Sequence, residues 1–337
     1  MRHISILLYT LCVSYGYAWA GQFLMTTTHE YLIFKDAVIR TNIETGDEQI
    51  LSSEDYSFYT LATDNTFLFA LLQNDKKVLL NTYCLTDLKL LQSKSIPLGI
   101  MAGSYGLGNA DLVFSSIQTP DAPQGTLFVV YNSTLYLLSK DLSPLGRIPI
   151  NHFVRGTYIH KNILYLWGTE GELSTYDIPT GKITLVFHDP SHPQSLFTPE
   201  GILSYGPNST ALNFYSYEDH KSIVQFTLAQ NPRAITSIYP FVYVLGSGGC
   251  LYTLGLENHE FSLNGSLPEL GFTSITNDGS YLYIHSEEKT FLYDPHTKRS
   301  LSRPHTLRNS QIKLTTNTHI IYPEGKQMPF FPTPHSV

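Results

Sequence analysis

The stretch from Leu164 to Phe187 decides the fold; it reads Leu-Tyr-Leu-Trp-Gly-Thr-Glu-Gly-Glu-Leu-Ser-Thr-Tyr-Asp-Ile-Pro-Thr-Gly-Lys-Ile-Thr-Leu-Val-Phe. Three runs of strand-forming residues are separated by two turns. Gly171 marks the first turn, and the second, Asp177 to Gly181, combines aspartate, proline and glycine in an order typical of tight turns. The stretch therefore predicts a three-stranded antiparallel meander, which is too small to bury a core by itself.

Related turns recur along the chain. The nearest copies of the second turn are Asn42–Gly46 and Asp294–Lys298, and looser copies begin at Leu85, Ser139, Ser216 and Gly255. The seven turns thus start at residues 42, 85, 139, 177, 216, 255 and 294, with spacings of 43, 54, 38, 39, 39 and 39 residues. A unit of about 40 residues with about four strands is typical of a β-propeller. The sequence predicts an all-β, seven-bladed β-propeller with four antiparallel strands per blade.

Each blade needs one further strand before its meander. Strand-like segments occur at the required places: Phe58–Ala62, Leu112–Ile117, Phe153–Tyr158, Ser195–Phe197, Ala234–Ile238 and Phe272–Ile275. The segment Ile312–Tyr322 follows the last meander and is a candidate for the strand that closes the ring on the N-terminal blade.

The N-terminus has the pattern of a secretory signal peptide. Arg2 and His3 precede an apolar run, and Ala18-Trp19-Ala20 is a small-x-small cleavage site before Gly21. The alternative is a buried first strand. We expect a signal peptide at 1–20, one propeller domain at 21–325 and a proline-rich tail at 326–337. No other stretch is long and apolar enough to span a membrane, so the expected location is extracellular, or periplasmic in a bacterium.

Glycosylation sequons and cysteines are also informative about export of the chain. Three sequons, at Asn132, Asn208 and Asn264, fall in or beside predicted turns, where a glycan has room. After removal of the signal peptide only Cys84 and Cys250 remain. They belong to blades that are not neighbours in a seven-bladed ring, and a disulfide needs Cα atoms within about 7 Å. We expect two free, buried thiols.

The 54-residue step indicates an insertion within Pro97–Gly125, a segment rich in glycine, serine, proline and aspartate. Long loops on rigid scaffolds often carry function. Tyr105, Asp111 and Asp121 are the candidate partner-binding residues of this loop. The alternative is a tolerated surface insertion.

Motifs for metal, cofactor or nucleic-acid binding are weak. The net charge is −7 and there is no basic run, which argues against a nucleic-acid partner. The segment His188-Asp-Pro-Ser-His192 matches no strong zinc spacing, and Gly246-Ser-Gly-Gly249 precedes a strand rather than the helix that a phosphate cradle requires. We expect no metal and no cofactor.

The turn Asp177-Ile-Pro-Thr-Gly-Lys182, which follows a strand, resembles the repeats of quinoprotein-like and related secreted propellers. Adjacent cysteines, typical of quinone-binding enzymes in that group, are absent from the chain. The resemblance therefore implies the repeat scaffold and not redox activity.

Three classes of function remain open. The first is an exported, non-catalytic binding module that recognises a protein or a glycan through its loops, and it is favoured because no catalytic motif is present. The second is a hydrolase or lyase that uses carboxylates at the central channel, for which Asp64, Asp111, Asp121 and Asp278 are candidates. The third is an envelope or structural assembly scaffold that captures a partner strand.

Overall fold

The computed structural model describes residues 23–304, except 27, 35–36, 43–44, 46, 75–76, 97–109, 132, 268–271, 278–280 and 287–288, together with three short strands between 314 and 329. The expected signal peptide at 1–20, Tyr105, Asn132, Asp278 and the end of the chain after Pro329 lie outside the described residues.

The described chain is built from strands that form seven four-stranded antiparallel meanders, here called sheets 1 to 7, and one short three-stranded sheet. In chain order the strands are β1 (Phe23–Met25), β2 (His29–Phe34), β3 (Ala37–Asn42) and β4 (Glu48–Ser52) in sheet 1; β5 (Ser57–Thr63), β6 (Phe67–Gln73), β7 (Val78–Cys84) and β8 (Leu90–Ile96) in sheet 2; β9 (Ala110–Ser115), β10 (Thr126–Tyr131), β11 (Thr134–Ser139) and β12 (Pro144–Pro149) in sheet 3; β13 (Val154–His160), β14 (Ile163–Gly168), β15 (Glu172–Asp177) and β16 (Lys182–His188) in sheet 4; β17 (Gln194–Phe197), β18 (Gly201–Tyr205), β19 (Ala211–Ser216) and β20 (Ser222–Thr227) in sheet 5; β21 (Pro232–Ile238), β22 (Phe241–Gly246), β23 (Cys250–Gly255) and β24 (Phe261–Ser266) in sheet 6; β25 (Phe272–Asn277), β26 (Leu282–Ser286), β27 (Lys289–Asp294) and β28 (Arg299–Pro304) in sheet 7; and β29 (Leu314–Thr315), β30 (His319–Ile321) and β31 (Gln327–Pro329).

The strands expected before each meander are confirmed. All six predicted segments overlap the first strand of sheets 2 to 7. The N-terminal blade is different from the expectation. Its first strand is β1, which pairs with β2, whereas Leu314–Thr315 and His319–Ile321 pair with each other. The proposed closing role of Ile312–Tyr322 was therefore wrong, because sheet 1 already has a fourth strand from its own N-terminal side.

The repeated turns confirm the spacing found in the sequence. In sheets 2 to 7 the turn between the third and fourth strands contains one residue with positive φ, three or four positions after the predicted start. These residues are Leu88, Leu142, Gly181, His220, His259 and Lys298, with φ between 54° and 68°. Only one of the six is glycine, so the turn geometry is kept where the glycine signal is missing.

Two compact units make up the chain, the first ending at Pro190 and the second beginning at Ser191. Within each unit, apolar side chains are buried between consecutive sheets. In the first unit such a core lies between sheets 1 and 2, between sheets 2 and 3, and between sheets 3 and 4. In the second unit it lies between sheets 5 and 6 and between sheets 6 and 7. Each of these cores draws on two sheets, which is why the copies must stack.

Strand order gives every sheet two distinct ends. The turns from first to second and from third to fourth strand lie at one end, called here the hairpin end. The turn from second to third strand and the connection to the next sheet lie at the other, called the linker end. First strands of neighbouring sheets contact each other, as β5 does with β9 and β9 with β13. The ends therefore carry the loops, and the first strands of these neighbouring sheets lie next to each other.

The predicted insertion is not one continuous loop. β9 runs through it, as the predicted strand Leu112–Ile117 required. Residues 97–109 lie outside the described residues. The remainder, Ser116–Gly125, forms an extended β9–β10 connection at the hairpin end of sheet 3, closed by a bridge between Thr119 and Ala122.

Candidate functional site

Asp111 is not a loop residue, which corrects the expectation from the sequence. It lies in β9 and is only 5% exposed. Its carboxylate accepts a hydrogen bond from Leu112 N at 2.9 Å and a short one from the Thr157 hydroxyl. Burial raises the pKa of Asp111 to about 6, although these hydrogen bonds oppose the shift. A side chain this enclosed cannot contact a partner. The expectation from the sequence had instead placed Asp111 on a loop exposed to solvent.

The other candidate carboxylates lie apart from Asp111 in the structure. Asp64 caps the β5–β6 turn, where it accepts hydrogen bonds from two backbone N–H groups, and it forms an ion pair with Lys140 at 2.5 Å. Asp121 is exposed on the β9–β10 connection. Asp278 and Tyr105 lie outside the described residues. The three described carboxylates therefore occupy three separate environments, and none of them pairs with another.

The described sequons differ in accessibility. Asn208 is exposed in the β18–β19 turn. Asn264 lies in β24, where it is half-buried and its Nδ2 donates a short hydrogen bond to the Thr253 hydroxyl. Asn132 lies outside the described residues.

Both remaining cysteines are free thiols. They are half-buried rather than fully buried as expected. Cys84 Sγ is 3.0 Å from the Thr86 hydroxyl, and Cys250 Sγ is 3.5 Å from the Ser266 hydroxyl.

His192 is engaged by its own surroundings. It is buried, with Nδ1 3.2 Å from Asn213 Nδ2 and Nε2 3.2 Å from the Ser209 hydroxyl. Both ring nitrogens of His192 therefore have polar neighbours within sheet 5 and its preceding connection.

His188 instead contacts acidic residues at the linker end of sheet 4. It is the cross-strand neighbour of Glu172 in the β15–β16 pair, and Glu170 lies in the turn between β14 and β15. One ligand atom from each of these three residues lies within 4.8 Å of the other two. His188 Nε2 is 3.1 Å from the Glu170 carbonyl oxygen, and Glu172 Oε2 accepts a hydrogen bond from Glu170 N at 3.0 Å.

A second histidine lies against this group. His152 is 8% exposed, and its Nε2 is buried without a hydrogen-bond partner. A Cβ on Gly168 would lie 2.1 Å from Glu172 Oε2 and 2.8 Å from His152 Cδ2, so the ring edge of His152 and the Glu172 carboxylate are side by side. Burial lowers the pKa of His152, while the Glu172 charge opposes the shift. We call His152, Glu170, Glu172 and His188 the acidic–histidine cluster.

An exposed aromatic turn lies at the hairpin end of sheet 6. Tyr239 in the β21–β22 turn and Phe241, the first residue of β22, flank Pro240, with exposed fractions of 48% and 42%. The Tyr239 hydroxyl donates a hydrogen bond to Glu257 Oε1 at 3.1 Å. This hydrogen bond, followed by burial and the charge of Glu200, raises the pKa of Tyr239 to about 12. We call Tyr239, Phe241, Glu257 and Glu200 the aromatic turn surface.

Neither group was identified from the sequence. For the acidic–histidine cluster the signal was incomplete. Counting the register from the Asp177–Lys182 pair places Glu172 opposite Phe187, and the register shift between Leu173 and Ser174 brings it opposite His188. His152 reaches the cluster from a different connection, which linear spacing does not show. For the aromatic turn surface there was no signal, since exposed and buried aromatics look alike in a chain with 23 tyrosines and 18 phenylalanines.

The part of the chain that the structure describes contains no helix long and apolar enough to cross a membrane.

Comparison with known proteins identifies the fold and nothing finer. No protein-family model matches the sequence, and no curated protein matches it. Among solved structures, the chain is similar to the dihydro-heme d1 dehydrogenase NirN in complex with DHE, with a TM-score of 0.58 and 12% identity over 82% of this chain and 64% of that one. It thus spans just under two thirds of that protein. It is also similar to U3-55K, with a TM-score of 0.55 and 12% identity over 82% and 91% of the two chains.

A further neighbour is BamB from Moraxella catarrhalis, with a TM-score of 0.51 and 11% identity over 77% of this chain and 79% of that one. NirN and BamB are both propellers of the quinoprotein-like type, in agreement with the resemblance of the repeated turn. Sequence identities of 11–12% with these neighbours indicate a shared architecture and do not indicate a shared activity. The chain is a β-propeller with seven four-stranded sheets.

Proposed function

We propose that this protein is an exported β-propeller that binds a protein or glycan partner through its loops. The observation that supports it most directly is the aromatic turn surface. Two large aromatic side chains stand exposed beside each other on one turn, and a hydrogen bond to Glu257 orients one of them. Exposed aromatics next to polar groups are typical of recognition surfaces.

The geometry of this turn suits binding. Pro240 restricts the backbone between the two rings, and strands β21 and β22 fix both ends of the turn by ladder hydrogen bonds. Tyrosine and phenylalanine lose little conformational entropy on binding and offer a large contact area. The Glu257 carboxylate adds a hydrogen-bond acceptor beside the rings, which is the pairing that a sugar or a hydroxyl-rich peptide needs.

The extended β9–β10 connection is the second element of the proposal. Asp121 lies exposed on it, and this connection is longer than a tight hairpin turn requires. Asp121 and Tyr105 are the residues of the original loop hypothesis that remain candidates, whereas Asp111 is excluded by its burial.

The test is a binding screen with matched variants of the mature chain, residues 21–337. A glycan array is probed directly, and a photo-crosslinking residue at Phe241 is used against extracellular or envelope fractions. We expect a ligand whose binding drops at least tenfold in the double variant Tyr239→Ala, Phe241→Ser. The control is Leu263→Ser, which removes an exposed apolar residue from the outer strand β24.

The proposal is refuted if no array member binds and the crosslinking residue captures the same products at Phe241 as at Thr184, an exposed residue of β16. Equal loss of binding in Leu263→Ser would also count against it, because the aromatic turn surface would then have no special part.

A scaffold role is the second candidate, and the outer strands favour it. The fourth strands carry exposed apolar residues, among them Leu91, Leu185, Ile223 and Leu263. An outer strand also has one unpaired edge, to which an extended partner segment can add. If a partner is found, replacing Ile223 in β20 with proline blocks strand addition at that edge. Loss of binding there, with the aromatic turn surface intact, selects the scaffold over the loop-binding module.

A further inference from the structure

We propose that the acidic–histidine cluster at the linker end of sheet 4 is a binding site for one divalent transition-metal ion of the zinc class, with His188, Glu172 and Glu170 as ligands and the buried His152 beside them. The inference is independent of the proposed function, since it rests on a different sheet and on other residues.

The first observation is the convergence of three ligand groups. Atoms of Glu170, Glu172 and His188 lie within 4.8 Å of one another. Ligand atoms that share one zinc ion have bonds of about 2.0–2.2 Å and so lie at most about 4.4 Å apart. Glu170 is exposed, so a small rotation of its side chain is enough to close the remaining distance.

The second observation comes from a residue outside that trio. His152 is more than nine-tenths buried, and its Nε2 has no hydrogen-bond partner. Adjacent Cδ2 lies beside Glu172 Oε2 across the space left open by Gly168. Buried polar atoms are normally satisfied, and an exception needs an explanation such as an unplaced ion. The space beside Glu172 is therefore lined by a second imidazole, whose nitrogens lie outside the group of mutually close ligand atoms.

The surroundings hold the ligands in useful orientations. If His188 Nε2 carries the proton, it donates to the Glu170 carbonyl and leaves the Nδ1 lone pair for a metal, which is the usual supporting arrangement around a ligating histidine. Thr169 N donates to the Phe153 carbonyl at 2.8 Å, and this bond ties the turn with Glu170 to the connection that carries His152. The cluster is therefore braced on both sides by backbone hydrogen bonds.

The donor set selects the kind of metal. One imidazole with two carboxylates suits zinc, nickel or copper, whereas calcium and magnesium prefer sites made only of oxygen ligands. Zinc has no geometric preference of its own, so three ligands from one sheet edge, completed by a water molecule, can satisfy it.

Isothermal titration calorimetry with ZnCl2 tests the proposal on tag-free mature protein in a Cys84→Ser, Cys250→Ser background, which removes the free thiols as competing ligands. We expect one zinc ion per chain, a rise in Tm with zinc, and at least tenfold weaker binding in His188→Gln and in Glu170→Gln. Both changes affect exposed side chains, so folding is preserved. Calcium at the same concentration should bind at least tenfold more weakly than zinc.

The matched control is Glu54→Gln, His296→Gln, which removes one exposed acid and one exposed histidine elsewhere and should bind zinc as the parent does. Cobalt substitution gives an independent readout, since bound Co2+ should show absorption bands that are lost in His188→Gln. A stoichiometry of zero, equal affinity in the parent and both single variants, or equal loss in the control overturns the proposal.

Discussion

Asp111 is interpreted differently from the sequence and from the structure. In the sequence it stood in a polar, flexible segment and was a candidate for partner binding. In the structure it is enclosed in β9, and its neighbours are the Thr157 hydroxyl and a backbone N–H group rather than solvent. The buried carboxyl therefore bears on stability, because an ionised group there has lost most of its hydration.

Replacement of Asp111 by asparagine should stabilise the protein in a pH-dependent way. Its pKa is raised from 3.8 to about 6 in the folded state, so the carboxyl favours folding in acid, and this contribution is lost as the pH rises from about 4 through 6. Above that range the wild type is penalised and Asp111→Asn is not. The variant's advantage in unfolding free energy should grow by about 2–3 kcal/mol between pH 4 and pH 8.

Urea denaturation at both pH values measures this difference, and the exposed Asp121→Asn is the control. An advantage that stays constant across the range would mean that the folded state does not raise the Asp111 pKa.

The two described sequons should differ in use. Asn208 stands exposed in a turn, whereas the Asn264 amide is half-buried and already donates to Thr253. A glycosylated asparagine must project its side chain into solvent. Expression in a eukaryotic secretory host should therefore glycosylate Asn208 and leave Asn264 unmodified. Peptide mass spectrometry after glycosidase treatment reads each site separately, and Asn208→Gln is the control for assignment. A modified Asn264 would show that β24 opens, or forms late, during folding.

At the scale of elements, the repeated turn between third and fourth strands is the most regular feature of the chain. One residue per turn adopts positive φ in sheets 2 to 7. Gly181 has φ of 68°, and the only atom near a Cβ added there is the Tyr176 hydroxyl oxygen at 3.7 Å. Gly181→Ala therefore tests backbone conformation without a steric clash.

We expect Gly181→Ala to lower the unfolding free energy by about 1–2 kcal/mol, because an L side chain is disfavoured in the left-handed region. The reverse change, Lys298→Gly, acts at the equivalent turn of sheet 7, where φ is 55°. It should lower the unfolding free energy by less than Gly181→Ala does, or raise it. Thermal unfolding of both variants measures the contrast. Equal destabilisation by the two changes would mean that the turns are not equivalent.

The same turns explain how much of the fold the sequence could predict. Their regular spacing was enough to place seven meanders and the strand before six of them, since local turn chemistry and strand propensity are read directly from neighbouring residues. The pairing of Phe23–Met25 with β2 was missed because three residues carry too little pattern. The site was missed for another reason: His152, Glu172 and His188 meet through register and packing, which no single stretch of sequence contains.

At the scale of the whole molecule, the stacked sheets explain why the chain needs no disulfide. Each unit buries apolar side chains between consecutive sheets; for example, Phe69 of sheet 2 shares a core with Leu127 and Val129 of sheet 3. Chains of this length bury enough surface to fold without covalent cross-links. A chain that passes through an oxidising compartment can therefore keep Cys84 and Cys250 as thiols, so the low cysteine content does not conflict with export.

Export itself is the last prediction, and it rests on Met1–Ala20. Signal peptidase requires small residues one and three positions before the cleaved bond, here Ala20 and Ala18. The secreted chain should begin at Gly21, and replacing Ala18 and Ala20 together with glutamine should leave the precursor uncleaved. Intact mass and N-terminal sequencing of expressed protein measure both outcomes. Ala229→Gln, at an exposed position of the second unit, should be processed normally. A wild-type chain that keeps Met1 would show that the apolar N-terminus belongs to the folded protein, and the localisation proposed here would fall with it.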